Sequence, residues 1–257
     1  MALKMLGYIA PPNNSIPFEP TRKITIASGA TETLEFRGPD GQIYGFDRIQ
    51  IHANGATLDE LLIDAEKTNQ SYLFQKVTAA AINRLFYLSN LQAPITIEKG
   101  HHLKVHITNN ADTTATVYVM VKGMNAAWLD RIANAYQNEF GAGIPVARFH
   151  TAYQAAIAPS TSRQLVPIKM AGYELEFRKI AVSSSLPNDV ELEVRQQNRI
   201  RKELLPISLM QKEYEGRRSA HIWKSYPNEN MDLYLSNNHA TITANFCWLA
   251  EAYEVAK

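Results

Sequence analysis

The 257-residue sequence has little of what marks an enzyme, a membrane protein or a nucleic-acid binder. One cysteine, Cys247 in the apolar run NFCWLAEAY, excludes an intrachain disulfide and suits a reducing compartment. A catalytic thiol needs a base and an electropositive setting, so a cysteine inside an apolar strand reads as core. No apolar run approaches the roughly 20 residues that span a bilayer. Lys+Arg number 26 against 25 Asp+Glu, which leaves no overall field to draw in nucleic acid or an anionic membrane surface. No direct nucleic-acid binding is therefore expected. The densest basic stretch, Arg195 to Lys202 in RQQNRIRK, reads as a solvated edge or loop.

Compact catalytic signatures are also missing: no G-x-S-x-G elbow, phosphate loop, dinucleotide fingerprint or H-E-x-x-H. His102 and His106, four apart on a strand, share a face, but Lys104 between them would repel a cation. Acidic pairs such as Asp59-Glu60 flank apolar strand residues and look like solvated turns. The expectation is a non-enzymatic protein with no catalytic residue, no metal and no cofactor.

What the sequence does hold is a strand pattern used twice. VHITNN ends at Asn109-Asn110 and LYLSNN at Asn237-Asn238, 128 positions later (237 minus 109). FDRIQIHANGATLDELLID (46 to 64) aligns without a gap on FRKIAVSSSLPNDVELEVR (177 to 195) at an offset of 131 (177 minus 46). Phe46 meets Phe177, Ile49 meets Ile180, Ile51 meets Val182, Leu61 meets Leu192 and Ile63 meets Val194. Apolar positions in common phase are what two copies of one strand-loop-strand unit show, and a short deletion in a loop absorbs the drift in offset.

Alternating apolar residues with turn signals about every 10 residues predict β-sandwich or jelly-roll domains. RKITIA (22 to 27) is a strand, and 31 to 52 reads as a hairpin about Gly38, Pro39, Asp40 and Gly41. AAAINRLFYL (79 to 88) fits a short helix or a buried strand. Three strands close this half, with Ile95 and Ile97, then Leu103, Val105 and Ile107, then Val117, Val119 and Val121 facing inward. QLVPIKM, YELEFRKIAV, DVELEVR, LLPISLM, AHIWKSY, MDLYLSN and TITANFCWLAEAYEV are strand segments of the second half.

The expected organisation is all-β: an extended proline-rich arm at 1–20, a first jelly roll at 21–124, a helix and linker at 125–162, and a second jelly roll at 163–257. The arm has no apolar core long enough for a secretory signal before Pro11 and Pro12. NAAWLDRIANAYQNEFG is the best helix, with Asn125 as its amino-terminal cap and Gly141 as its end. Trp128, Ile132, Tyr136 and Phe140 form its apolar stripe, to be buried on the chain's own sandwich or on a neighbouring subunit. These four are the subunit-contact candidates. Trp223 and Tyr226, beside the loop SYPNEN, are the surface-recognition candidates, with a glycan as the class of ligand.

The turn leading into LKVHITNN and then TATVYVMVKG resembles the final hairpins of small β-sandwich proteins of bacteriophage particles. Two such domains with an arm and a linking helix resemble, over about residues 20 to 255, the double jelly-roll major capsid proteins of tailless, membrane-containing bacterial viruses. The resemblance implies a virion structural protein made in the host cytoplasm, assembling as homotrimers into a shell. It implies as partners other copies of the chain, other virion proteins and an internal viral membrane. The rival readings are a phage collar, decoration or fibre protein and a β-sandwich carbohydrate-binding module.

Overall fold

A computed structural model describes residues 6, 9–13, 18–38, 42–68, 72–87, 91, 93–168, 172, 174–197, 199–215, 223–227 and 229–254. The strands are β1 (Thr21–Ile26), β2 (Thr31–Arg37), β3 (Tyr44–Asn54), β4 (Leu61–Lys67), β5 (Tyr72–Thr78), β6 (Ile95–Ile97), β7 (His102–Asn109) and β8 (Ala115–Asn125), then β9 (Ala147–Ile157), β10 (Thr161–Ile168), β11 (Leu175–Ser183), β12 (Val190–Gln196), β13 (Arg199–Pro206), β14 (Trp223–Ser225), β15 (Met231–Asn237) and β16 (Ala244–Glu254). Three helices, α1 (Ala79–Phe86), α2 (Ala126–Phe140) and α3 (Ile207–Glu215), join β5 to β6, β8 to β9 and β13 to β14.

Two sheets, β1-β8-β3-β6 and β2-β7-β4-β5, face each other in the first half. The second half has β9-β16-β11-β14 and β10-β15-β12-β13, the same orders with eight added to each number. This is the double-sheet, eight-stranded jelly-roll arrangement, built twice, and it makes the chain an all-β protein of two tandem jelly rolls.

The repeat extends to irregular features. β3 shifts register against β8 between Phe46 and Arg48, and β11 does so against β16 between Phe177 and Lys179. The same bulge thus falls at the same place in both halves. Asn109 donates through Nδ2 to the carbonyls of Ile26 at 3.1 Å and Thr113 at 2.8 Å, and accepts at Oδ1 from Ala111 N–H. Asn237 repeats this with Ile157 at 2.9 Å, Ile242 at 3.0 Å and His239 N–H. Each asparagine, with no exposure to solvent, locks the end of one strand to the turn that follows and to a strand of the facing sheet.

The ungapped alignment is correct over β3 and β11 but two residues out beyond them. Leu61 pairs with Asn109 and Val190 with Asn237, so Leu61 matches Val190 rather than Leu192. A slip of two residues keeps every side chain on its face, which is why the apolar phase agreed despite it.

Three other expectations change. β2 and β3 belong to different sheets, β2 on β7 and β3 on β8, so 31 to 52 is a crossover between the walls of the sandwich and not a hairpin. Pro39, Asp40 and Gly41 lie outside the described residues. AAAINRLFYL is resolved as helix over α1, whose cap Thr78 accepts from Ala81 N–H. The segment read as the strand LLPISLM turns helical after Pro206, where Leu, Met, Gln, Lys and Glu supply good helix formers.

The stretch from Gly141 to Ser162 is not an irregular linker either. It contains β9, which pairs with β16 from Ala147 to Ile157. Its inward positions include Ala147 and Ala152, small residues that give a weak hydrophobic signal.

β9, β11 and β16 also form the seam between the jelly rolls. Along β16, Phe246, Trp248, Ala250 and Ala252 belong to the second core, while Cys247, Leu249 and Tyr253 belong to the core of the first half. Both faces of the strand are buried, which explains its continuous apolar run from Phe246 to Ala250. From the first half come β5 and α1: Thr78 Oγ1 meets Ser183 Oγ at 2.7 Å, and Phe74 stands edge-on to Phe149 with centroids 5.4 Å apart. Ala93 N–H donates to Tyr253 OH at 3.0 Å, and Asn245 Nδ2 to the Asp59 carbonyl at 3.1 Å. Lys179 and Glu251 pair at 3.3 Å within the seam, where burial pulls the Lys179 ammonium below its usual range and Glu251 opposes that shift.

Two outcomes follow from this packing. Asn109→Ala and Asn237→Ala each strand buried carbonyls, so each is expected to cost about 1–3 kcal/mol in a denaturant titration. Proteases that cut unstructured chain are expected to leave 147–157 intact in the native protein; release of two folded pieces by cleavage there would contradict the seam.

Candidate functional site

The described residues bring no catalytic constellation together, and no group of three or more His, Cys, Asp or Glu among them is placed to hold a metal. His102 Nε2 lies 3.5 Å from Glu35, and His106 Nε2 lies 3.4 Å from Glu66, which also takes Lys104 at 3.9 Å. Thr33 Oγ1 meets His106 Nδ1 at 2.8 Å. The shared face of the two histidines is thus a ladder of cross-strand polar pairs on the outer wall of the first jelly roll.

Cys247 is fully buried on the seam face of β16 and accepts a hydrogen bond from Thr78 N–H at 3.4 Å. Burial pushes its thiol up to about 12. Glu60 closes its own turn, its carboxylate accepting from Thr57 N–H and Thr57 Oγ1, both at 2.8 Å. Asp59 beside it is not a solvated turn residue: burial raises its carboxyl above the usual range. Proximity to the seam accounts for this, since its carbonyl bonds Asn245.

The basic stretch crosses the turn from β12 into β13, the edge strand of its sheet. Arg195 Nε donates to Glu193 at 2.6 Å, and Arg201 Nε to Gln196 Oε1 at 2.8 Å. Arg195 and Arg201 are thus engaged by neighbouring side chains at an edge, where charge also discourages stray strand pairing.

α2 has the predicted caps. Asn125 Oδ1 accepts from Trp128 N–H at 3.0 Å, and Gly141, at φ 64°, ends the helix by donating to the Gln137 carbonyl. Trp128, Ile132 and Tyr136 are buried and Phe140 is packed against them. Of the two covers open to this stripe, the chain provides its own. Leu6 and Ile9 of the arm lie on it, Trp128 Nε1 donates to the Ile9 carbonyl at 2.9 Å, and Leu6 N–H donates to Tyr136 OH at 3.3 Å. Trp128, Ile132 and Tyr136 are therefore part of the chain's interior, with Phe140 partly buried beside them.

A close approach seats arm and helix on the first sandwich. Phe18 bridges to Gly123, where a Cβ would lie 2.7 Å from the Phe18 ring and 2.8 Å from the Gly45 carbonyl. At Gly45 a Cβ would come within 2.7 Å of Leu129 of α2. Two glycines on adjacent strands thus give the arm and the helix their room.

In the recognition candidate, the Trp223 backbone pairs with Phe177 as the start of β14, and its side chain lies outside the described residues. Tyr226 is 51% exposed. Its turn is held firmly, because the buried Glu229 carboxylate accepts from Tyr226 N–H at 2.9 Å and from Gln196 Nε2. The surface that sequence reasoning did not find is the seam itself; the doubly buried pattern of β16 was its one visible sign.

No family model and no curated protein matches the chain. Among solved structures it is similar to the major capsid protein of Sulfolobus Turreted Icosahedral Virus, at 9% identity over 93% of this chain and 97% of that one, with TM-score 0.48. It is similar to the major capsid protein of bacteriophage PM2, at 7% identity over 92% and 98% of the two chains, with TM-score 0.44. It is also similar to the PBCV-1 virus capsid, at 9% identity over 95% of each chain, with TM-score 0.34. The double jelly-roll resemblance noted in the sequence recurs in these structures as a likeness of architecture, and no residue of this chain takes a role from it.

The surroundings of Cys247 predict its reactivity. A thiol-specific reagent at pH 8 is expected to leave the native protein unlabelled and to modify it once, rapidly, after denaturation; fast labelling of the native state would show an open and activated thiol.

Proposed function

We propose that the chain is a virion structural protein of the capsid type, which assembles from copies of itself and has no enzymatic role. The observation that carries this reading is the fusion of two jelly rolls of identical topology, side by side, across a buried seam. A rigid tandem pair has two near-equivalent flanks, so three copies present six similar sandwiches in a pseudo-hexagonal unit that tiles a surface. A homotrimeric capsomer is the assembly proposed, with virion proteins and an internal viral membrane as further partners.

The arm and α2 form one unit locked to the first sandwich, and the proposal uses the solvent side of that unit for contacts between capsomers. The balance of 26 basic and 25 acidic side chains lets many copies pack without accumulating charge.

Light scattering after size exclusion, across a concentration series, tests this reading. A particle of about three times the 28.9 kDa chain mass, or larger shells, is expected. A closed ring of higher order would favour a collar position. A strict monomer at every concentration would overturn the proposal and turn attention to glycan binding at the Tyr226 turn.

A further inference from the structure

The two jelly rolls have the same topology, and on the face of the first that corresponds to the seam, α2 and the arm cover the Met124 end and leave Tyr118 and Met120 half-buried. The seam joins the β5–α1 edge of the first jelly roll to the outer face of β9, β16 and β11 in the second. The corresponding edge of the second jelly roll is β13–α3, and the corresponding face of the first is that of β1, β8 and β3. From these equivalences we infer that the β13–α3 edge of one copy docks on the outer face of β1, β8 and β3 of the next copy, repeating the internal seam between chains. This rests on the self-assembly reading and names the surface that executes it.

Residue equivalences give the inference its detail. Asn83 of α1 caps its own sandwich by donating to the Ile51 carbonyl at 2.6 Å, and Gln211 of α3 repeats this on the Val182 carbonyl at 3.3 Å. The two helices are therefore seated alike, with Ala81 matching Leu209 (209 minus 81 is 128, as 211 minus 83 is). Ala81 is completely buried, whereas Leu209 is 51% exposed. Ile200 and Leu204 of the adjoining β13 are exposed as well, at 52% and 41%. At the same offset Ile200 and Leu204 correspond to Tyr72 and Lys76, which are exposed themselves, so Leu209 is the position at which a residue buried in the first half has an exposed apolar counterpart in the second.

The receiving face is equally specified. β8 matches β16 at an offset of 129, from the pairing of Arg48 with Lys122 and of Lys179 with Glu251. Cys247 then corresponds to Tyr118, Leu249 to Met120, and Ser183 to His52. Tyr118 and Met120 are half-buried on the outer face of the first jelly roll, where Lys23 and His52 flank the Tyr118 ring. Met and Tyr offer an adaptable apolar surface to Leu209. Because edge and face differ, the contact is heterologous, and its repetition gives a ring where the rotation closes and a filament where it does not.

Three proteins are compared by light scattering, each checked by circular dichroism and thermal melting: the unaltered chain, Leu209→Asp on the edge and Met120→Asp on the face. A fourth carries Tyr118→Cys with Pro206→Cys, the positions equivalent to Cys247 and Thr78, and is oxidised mildly before a non-reducing gel. The expected result is association of the unaltered chain, at least a tenfold rise in its dissociation constant in both Asp variants, and covalent multimers from the cysteine pair. Association that persists in every folded Asp variant, without cross-linking between copies, would overturn the inference and leave the self-assembly reading standing. A monomeric unaltered chain would overturn both. If Leu209→Asp fails to fold, Met120→Asp and the cysteine pair decide the matter from the opposite surface.

Discussion

The burial of β16 on both faces is the constraint on which the rest of the molecule depends. With Trp248 turned into one core and Leu249 toward the other, the strand cannot leave either jelly roll without exposing apolar surface to water. At about 1.5–3 kcal/mol for each large side chain buried, Leu249 and Tyr253 alone make separation of the halves costly. Polar pairs also cross the seam, among them Thr78 with Ser183 and Ala93 with Tyr253. The two domains therefore form a single body, and the flanks that body offers to other molecules have fixed positions.

Duplication explains the regularity of the fold, and divergence explains its use. What both halves keep is backbone logic: the bulge after Phe46 and Phe177, the side-chain locks of Asn109 and Asn237, the helix seated by Asn83 or Gln211. What differs is outward-facing. The first jelly roll has Arg48 and Lys122 where the second has the Lys179–Glu251 pair, and Tyr118 where the second has Cys247. One face became an internal seam and was filled with side chains that tolerate burial, while its counterpart remained half-polar. The same asymmetry makes α1 alanine-rich and buried on two sides, whereas α3 leaves Leu209 exposed.

Much of this was legible in the sequence because strand periodicity survives coarse alignment. The inner apolar residues of β6 and β7 and the inner valines of β8 were identified, though not Ala115, and the caps of α2 followed from Asn125 and Gly141. The failures have distinct physical causes. β2 and β3 alternate as the arms of a hairpin would, and alternation reports which face is buried, not which strand is the partner. β9 was hidden because two of its three fully inward residues, Ala147 and Ala152, are alanines. α3 was mistaken for a strand because its apolar residues, Ile207, Leu209 and Met210, suit either form over so short a span. Asp59 looked solvated, and only the approach of the second jelly roll buries it.

The sequence by itself determined the all-β character, the doubling of the unit and the caps of the central helix, because these rest on local periodicity and on side chains bonding to nearby backbone. It also carried the apolar run from Phe246 to Ala250 in β16, without saying what lay on either side. The tertiary structure alone decided strand partners, the cover of the α2 stripe by Leu6 and Ile9, and which of two equivalent faces became the seam. Those choices depend on residues brought together from far apart in the chain, such as Thr78 and Cys247, and no local pattern encodes that meeting.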